Sequence, residues 1–132
     1  MNIEYEARDQ YLYVKVTGEF VFREAQDSVP EGFRRCIEHN LKKVLVDLRE
    51  LRGENSRPGR YFYLDGIGEL HDEYVKAGYA PLSVVYVGSS EFVSDDKYEE
   101  TVAGLHALNI KTTADMNEGL EWLNARQDQP AR

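Results

Sequence analysis

The run Val44-Leu45-Val46-Asp47-Leu48 decides the fold, because it is an almost unbroken apolar segment of strand length. Such a run is typical of a strand that is buried on both faces between layers of helices. The loop that follows, residues 49–60, then lies at the carboxyl end of this strand, where open α/β sheets usually place their functional surface. Four of the ten arginines fall in this loop, although the net charge of the chain is −8. The sequence therefore indicates where function lies without defining its chemistry.

The segments on either side of this strand alternate between extended and helical patterns. They predict the element order β-β-α-β-α-β-α-β-α, in which an opening hairpin precedes alternating helices and strands. This order is typical of the α/β class, with a mixed, mostly parallel five-stranded sheet and helices packed on it. The predicted elements are strands at 3–7, 11–18, 43–48, 82–87 and 110–113, and helices at 29–39, 61–77, around Tyr98–Leu105, and after Asp115.

Polar residues mark the expected ends of these helices. Ser28 and Glu31 have the spacing of a capping box, and Pro30 is compatible with a first helical turn. Asn40 is a typical helix stop, and Asp115 a typical helix start. The first of the long helices should therefore begin at residue 29.

Length and composition favour one globular domain, spanning residues 1–124, with a polar and disordered tail at residues 125–132. An apolar content of 42% and a charged content of 30% are ordinary for a globular protein. No segment approaches the roughly 18 consecutive apolar residues of a membrane span, and the first residues lack the pattern of a secretory signal. We therefore expect a cytoplasmic protein without a membrane span.

Several functional classes are disfavoured by what the sequence contains. A net charge of −8 opposes nonspecific nucleic-acid binding, which requires a basic face. There is no glycine-rich phosphate loop, and a single cysteine, Cys36, cannot form an internal disulfide or a cysteine-based metal cluster. Cys36 falls on the apolar stripe of a helix, which predicts a small core residue. His39, His71 and His106 fall on three different predicted helices and are expected to be surface or boundary residues, so we expect no metal site and no cofactor.

The acidic residues offer one position that differs from the rest. Most of them cluster at residues 69–73 and 95–100, on helix faces opposite the apolar stripes, which predicts solvated surface. Asp47 instead ends an apolar strand, where its carboxylate is expected to accept hydrogen bonds from loop amides. A catalytic Asp47, working with a histidine brought near by folding, is the weaker alternative.

The arginine-rich loop is the candidate binding site. Two of its arginines lie near the predicted start of a helix, where free backbone N–H groups favour anions. The loop could hold a phosphate, a carboxylate or an acidic segment of a partner. Alternatively, it is a flexible solvated loop in which Glu50 and Glu54 offset two of the four positive charges. The candidate residues are Arg49, Arg52, Arg57 and Arg60.

Three segments resemble the bacterial STAS/SEC14-like (SpoIIAA-like) family, which is related to anti-sigma-factor antagonists. Residues 44–49 look like the central strand of that family and its Asp-Leu-Arg exit. Residues 100–111 and the closing Asp115–Leu123, with its Trp-Leu ending, carry the rest of the resemblance. The resemblance covers nearly the whole chain and implies a STAS-like fold.

The same resemblance implies a position for a regulatory phosphate. In true antagonists a serine at the start of the helix after the central strand is phosphorylated to switch partners. Ser56 is the nearest match, but the family pattern is Asp-Ser, then Ser or Thr, then Gly. This chain reads Asn55-Ser56-Arg57-Pro58-Gly59.

We therefore expect a small non-enzymatic regulatory or protein-interaction module that binds a protein partner or itself as a homodimer. The alternative is a binder of a small anionic or lipid-like ligand at residues 49–60, since some relatives with the wider fold hold apolar ligands. An enzyme built on Asp47 is the third hypothesis.

Overall fold

Six strands and four helices are found in the part of the chain that the computed structural model describes. That part is residues 1–53, 57–89, 92 and 108–127, with the backbone alone for residues 57–62 and 125–127. In chain order the elements are β1 (Asn2–Ala7), β2 (Leu12–Glu19), α1 (Phe22–Asp27), α2 (Val29–His39), β3 (Lys43–Asp47), β4 (Leu51–Arg52), α3 (Arg57–Lys76), β5 (Ser83–Val87), β6 (Asn109–Thr113) and α4 (Met116–Gln127).

The apolar run after residue 42 forms β3 at the middle of the sheet, as the sequence predicts. The strand order is β1-β2-β3-β5-β6, and only the pairing of β1 with β2 is antiparallel. The alternation along β2, which buries Leu12, Val14 and Val16, aligns these residues with the buried face of β3. The mixed, mostly parallel α/β sheet with a hairpin at its edge is therefore confirmed.

Two apolar cores cover the two faces of this sheet. The first lies under α2 and α3 and is the larger, whereas the second lies under α4 and includes Leu45, Val85 and Leu123. Gly119 allows α4 to approach β5 closely, because a Cβ atom there would lie only 3.1 Å from a methyl carbon of Val87. Helices therefore shield β3 and β5 on both sides, which explains why these two strands are almost continuously apolar.

The predicted capping box at Ser28 is wrong. The structure contains an additional helix, α1, which ends immediately before Ser28 and leaves it in a right-handed helical conformation. The Ser28 hydroxyl donates back to the Ala25 carbonyl at 2.6 Å instead of capping α2. Glu31 instead forms ion pairs with Arg34 and Arg35. Helix α1 escapes sequence analysis because it is only six residues long and buries no residue.

The other helix ends agree more closely with the pattern. Asn40 ends α2 in the left-handed conformation, with φ at 53°, and Asp115 accepts the backbone N–H of Asn117 at 2.9 Å at the start of α4. Helix α3 begins at Arg57, four residues before its predicted start, and α4 continues three residues past Asn124. The helix predicted around residues 98–105 and the last five residues of the predicted tail lie outside the described part of the chain.

A sixth strand corrects the predicted number of five. Strand β4 follows β3 after a short turn and pairs in parallel with Gly18 and Glu19 at the end of β2. Two residues are too few to carry a periodic pattern, so the sequence could not reveal this strand. The pairing of β4 with β2 holds the start of the arginine-rich loop beside the carboxyl end of β2.

Candidate functional site

Helix α4 covers only part of its face of the sheet. It packs against β5, β6 and β3, whereas β1 and β2 lie beyond it. On that face Glu4 and Glu6 of β1 are exposed, and Tyr13 and Lys15 of β2 are half-buried. The hairpin therefore presents an ordered polar surface beside the carboxyl end of β3.

Five side chains on this surface form one network, which we call the Tyr13 cluster: Arg8, Tyr11, Tyr13, Asp47 and Arg49. The Tyr13 hydroxyl donates to the Asp47 carboxylate at 2.6 Å. The Arg8 guanidinium lies 3.9 Å from the centre of the Tyr13 ring and also donates to the Tyr11 hydroxyl at 3.1 Å. Arg49 completes the network by a bidentate contact with Asp47, in which both N–H···O distances are 2.9 Å.

Asp47 is the anchor of this cluster because it is only 3% exposed. Its carboxylate also accepts the backbone N–H of Arg49 at 3.1 Å, which confirms the expected contact with a loop amide. Burial alone would raise the pKa of Asp47, but the hydrogen bonds from Arg49 and Tyr13 lower it below the usual value. Burial and the hydrogen bond to Asp47 raise the pKa of Tyr13. At neutral pH Asp47 therefore carries its charge and Tyr13 keeps its proton. The hydrogen bond between them is thus a structural contact rather than a proton-transfer pair.

The outer surface of the Tyr13 cluster is set by its two arginines. The Arg8 and Arg49 side chains are 40% and 51% exposed, so both guanidinium groups reach solvent although each is already oriented. Beside them, Lys15 forms an ion pair with Glu50 at 2.9 Å. Arg8 also forms an ion pair with Glu6 at 3.3 Å, and both Asp47 oxygens already accept hydrogen bonds.

The structure shows where two of the four candidate loop arginines lie. Arg49 is bound to Asp47, and Arg52 is bound to Glu19 at 3.0 Å at the end of the β2–β4 pairing. Arg52 and Glu19 are both more than half exposed, so their contact is weak and open to competition. Each of these arginines is thus positioned by a carboxylate of the chain before any ligand arrives.

The remaining candidates of the loop are less completely described. The backbone of Arg57 and Arg60 forms the first turn of α3, as expected for residues near a helix start. The side chains of these two residues and the whole of Ser56 lie outside what the structure describes. A common anion site of the four arginines therefore stays a prediction, as does phosphorylation of Ser56.

The prediction that His71 is a surface or boundary residue is wrong. Its side chain is fully buried, and its Nε2 atom accepts the backbone N–H of Leu82 at 3.0 Å. The ring packs against Phe33 and Tyr74, at centroid distances of 6.3 and 6.1 Å. Its role is to satisfy the amide that precedes β5, a long-range contact that the helical pattern does not reveal. His39 is 43% exposed, in agreement with the prediction, and His106 lies outside the described residues.

Replacing His71 with phenylalanine should lower the free energy of unfolding by about 1–3 kcal/mol, because the Leu82 amide loses its acceptor while an aromatic ring still fills the site. Chemical denaturation monitored by circular dichroism measures this change. The matched control is His39→Phe, which should leave the free energy of unfolding nearly unchanged. Equal effects of the two substitutions would contradict the structural role of His71.

Cys36 lies in the core as predicted. It is 1% exposed, and burial raises the pKa of its thiol to about 12, which disfavours the reactive thiolate.

In the described ranges, no group of three or more histidine, cysteine, aspartate or glutamate side chains is arranged to hold a metal ion. Within the same ranges, no helix combines the length and apolar character that crossing a membrane requires.

Sequence analysis missed Arg8, Tyr11 and Tyr13 as members of the candidate site. The one signal in the sequence was that Tyr13 and Lys15 lie together on the more exposed face of the same predicted strand. Its partner Asp47 is 34 residues away, and the register of β2 against β3 aligns Tyr13 with Leu45 and Lys15 with Asp47. Only this pairing brings the hydroxyl and the carboxylate together.

Comparison with known proteins supports the fold and leaves the function open. No protein-family model and no curated protein sequence matches the chain. Among solved structures, the unphosphorylated form of the anti-sigma factor antagonist SpoIIAA is similar, with a TM-score of 0.54 and 10% sequence identity. The match covers 94% of this chain and 97% of that one. Together with the strand order described above, this similarity shows that the chain has the STAS-like α/β fold of SpoIIAA.

Proposed function

We propose that this chain is a small, cytoplasmic, non-enzymatic regulatory module that acts by binding a protein, including a second copy of itself as a homodimer. The fold supports this proposal because the structurally similar SpoIIAA is an anti-sigma factor antagonist. The single observation that carries it is the Tyr13 cluster, an ordered polar surface beside the exit of the central strand.

The composition of the cluster is that of a binding surface between proteins. Arginine and tyrosine are enriched among the residues that dominate binding energy at interfaces. In this chain Arg8 is stacked on Tyr13, and Arg49 is held by Asp47. Because these side chains are already oriented, a partner would pay little conformational entropy to engage them.

Arg8→Ala tests this proposal, because Arg8 is exposed and its removal leaves the contact between Tyr13 and Asp47 in place. We expect the wild-type chain to show the mass of a dimer in size-exclusion chromatography with light scattering, and to retain a defined protein partner. We expect Arg8→Ala to weaken partner binding about tenfold or more, as for an interface residue of moderate importance.

The matched control is Arg34→Ala. Arg34 also forms ion pairs, with Glu31 and Glu38, but lies on α2, on the other side of the sheet. Its substitution should change neither the dimer mass nor the partner affinity. A chain that is monomeric at every concentration and retains no protein would contradict the proposal, and equal losses in Arg8→Ala and Arg34→Ala would contradict the assigned surface.

A second candidate function is binding of a small anionic or lipid-like ligand at residues 49–60. The exposed guanidinium groups of Arg49 and Arg52 favour it, since both follow β3 at the end of the sheet from which α3 departs. A ligand that binds only the folded chain raises its melting temperature.

Thermal-shift measurements with inorganic phosphate and with a fatty acid test this second function. We expect a saturable rise in melting temperature that is lost in the Arg57→Ala, Arg60→Ala double variant. The Arg34→Ala, Arg35→Ala double variant removes the same charge from α2 and should keep the response. No shift at saturating concentrations would remove this candidate.

A further inference from the structure

Strand β1 forms an edge of the sheet, beside the Tyr13 cluster. In the described part of the chain it pairs with β2 on one side and with no strand on the other. An edge of this kind presents unpaired N–H and C=O groups, which can pair with a strand of another chain. Residues 2–7 span the length of an ordinary strand and contain no proline that would prevent such pairing.

The hydrogen bonds of the hairpin define which backbone groups of β1 are available. At the turn, the Arg8 N–H donates to the Tyr11 carbonyl at 2.9 Å. Hydrogen-bonded and non-hydrogen-bonded pairs alternate along an antiparallel ladder, so in this register the backbone groups of Glu4 and Glu6 bond to β2. The N–H and C=O groups that point away from β2 are those of Ile3, Tyr5 and Ala7.

The edge is acidic on the face that α4 leaves uncovered, where Glu4 and Glu6 are both exposed. Glu6 forms an ion pair with Arg8 at 3.3 Å. Glu4 accepts a hydrogen bond from the Asn2 amide at 3.3 Å and forms no ion pair with a described residue. A basic side chain placed beside Glu4 would therefore gain an ion pair without breaking one.

The opposite face of the same edge is apolar. Ile3 and Tyr5 are half-buried there and pack against the larger core. The Arg35 guanidinium covers the Tyr5 ring from α2, at 4.7 Å from the ring centre. Because successive side chains of a strand point to opposite faces, a strand added to this edge fits best when basic residues alternate with apolar ones.

A second copy of β1 does not have this composition. Two full β1 strands that pair antiparallel through their outward backbone groups would place Glu4 opposite Glu4 or Glu6 of the second copy. Like charges directly opposite each other destabilise a sheet. The edge therefore favours a strand of different sequence over self-pairing.

We propose that β1 accepts, as an additional strand, an extended segment of a partner protein in which basic residues alternate with apolar ones. Hydrogen bonds to the outward backbone groups supply the affinity, and the ion pair with Glu4 supplies the selectivity, as in other complexes formed by strand addition. This inference rests on the proposed function, because it names the kind of protein segment that binds beside the Tyr13 cluster.

The test uses two short fluorescent peptides, one that alternates lysine with valine and one with glutamate in place of lysine. Fluorescence anisotropy with the full chain is measured at physiological ionic strength, where long-range attraction to the net charge is screened. We expect the lysine peptide to bind about fivefold more tightly, the difference between an attractive and a repulsive cross-strand pair.

In Glu4→Lys the ratio of the two affinities should fall to about one, because Glu6 is already paired with Arg8. The matched control is Glu73→Lys. Glu73 is exposed on α3, and its substitution changes the net charge by the same amount, so the ratio should be kept. A ratio that fell equally in both variants would overturn the inference.

Ala7→Pro tests the strand addition itself. Ala7 is exposed, and proline removes its outward N–H while the pairing of β1 with β2 is kept, as proline on edge strands allows. Circular dichroism verifies that the variant folds, and the lysine peptide should no longer bind to it. Glu4→Lys, which leaves the backbone unchanged, tests the same edge independently.

Three results overturn the inference: no binding of the lysine peptide to the wild-type chain, equal affinity for the two peptides, or unchanged binding in folded Ala7→Pro. A wild-type dimer that Ala7→Pro converts to a monomer also overturns it, because the edge would then hold a second copy. If a partner protein binds and depends on Arg8 while the lysine peptide does not bind, only this inference fails and the proposed function stands.

Discussion

Replacing Leu45 with alanine should lower the free energy of unfolding by about 3–4 kcal/mol, the range found for leucine in tightly packed cores. Leu45 has no exposed surface and lies on β3 in the middle of the sheet. Its side chain is part of the core under α4, so truncation would leave a cavity that neither the sheet nor the helix can close without strain. Urea denaturation followed by fluorescence of Trp122 measures the change.

The control for this prediction is Ile37→Ala. Ile37 is also a large aliphatic residue, but it is 42% exposed on α2, and alanine is the better helix former. Its substitution should cost less than about 1 kcal/mol. If both substitutions had the same small effect, β3 would not be the buried centre of the sheet.

Replacing Asp47 with asparagine should lower the free energy of unfolding by about 2–3 kcal/mol at neutral pH. The substitution keeps the shape of the side chain but removes the charge that accepts hydrogen bonds from Arg49 and Tyr13. Hydrogen bonds to a charged group contribute about 1.5–3 kcal/mol, and the Asn amide presents hydrogens toward donors that also carry hydrogens.

The contribution of Asp47 should also depend on pH, with a defined sign. The pKa of Asp47 is lower in the folded chain than in the unfolded chain, because its hydrogen bonds to Arg49 and Tyr13 outweigh burial. The stabilisation is therefore complete above the unfolded pKa of about 4 and is lost as the pH falls through the folded pKa. The difference in unfolding free energy between wild type and Asp47→Asn should shrink below about pH 4.

Glu31→Gln provides the comparison for this pH dependence. Hydrogen bonds from Arg34 and Arg35 lower the pKa of Glu31 to about 2, but this group lies on the surface, where solvent screens the charges. Its substitution should therefore have a smaller effect at neutral pH than Asp47→Asn. A difference between wild type and Asp47→Asn that stayed constant from pH 7 to pH 2 would contradict an ionised, hydrogen-bonded Asp47.

The sequence by itself determined the fold class, because the signals that define it are local. The apolar run of β3, the alternation along β2 and the helical spacing from Val29 to His39 each reflect which face of one element is buried. Chain order then limits the connections, since alternating strands and helices form parallel sheets with right-handed crossovers. The left-handed end of α2 at Asn40 and the buried state of Cys36 follow from the same local rules.

Only the tertiary structure decided the contacts that join distant residues. Tyr13 meets Asp47 because of the register between β2 and β3, and His71 meets the Leu82 amide because α3 packs beside β5. The contact between the Tyr63 and Tyr86 hydroxyls also depends on how α3 lies on the sheet. Hydrophobic patterns specify which face of an element is buried, whereas the identity of the atoms that meet depends on register and packing angle, which no single segment encodes.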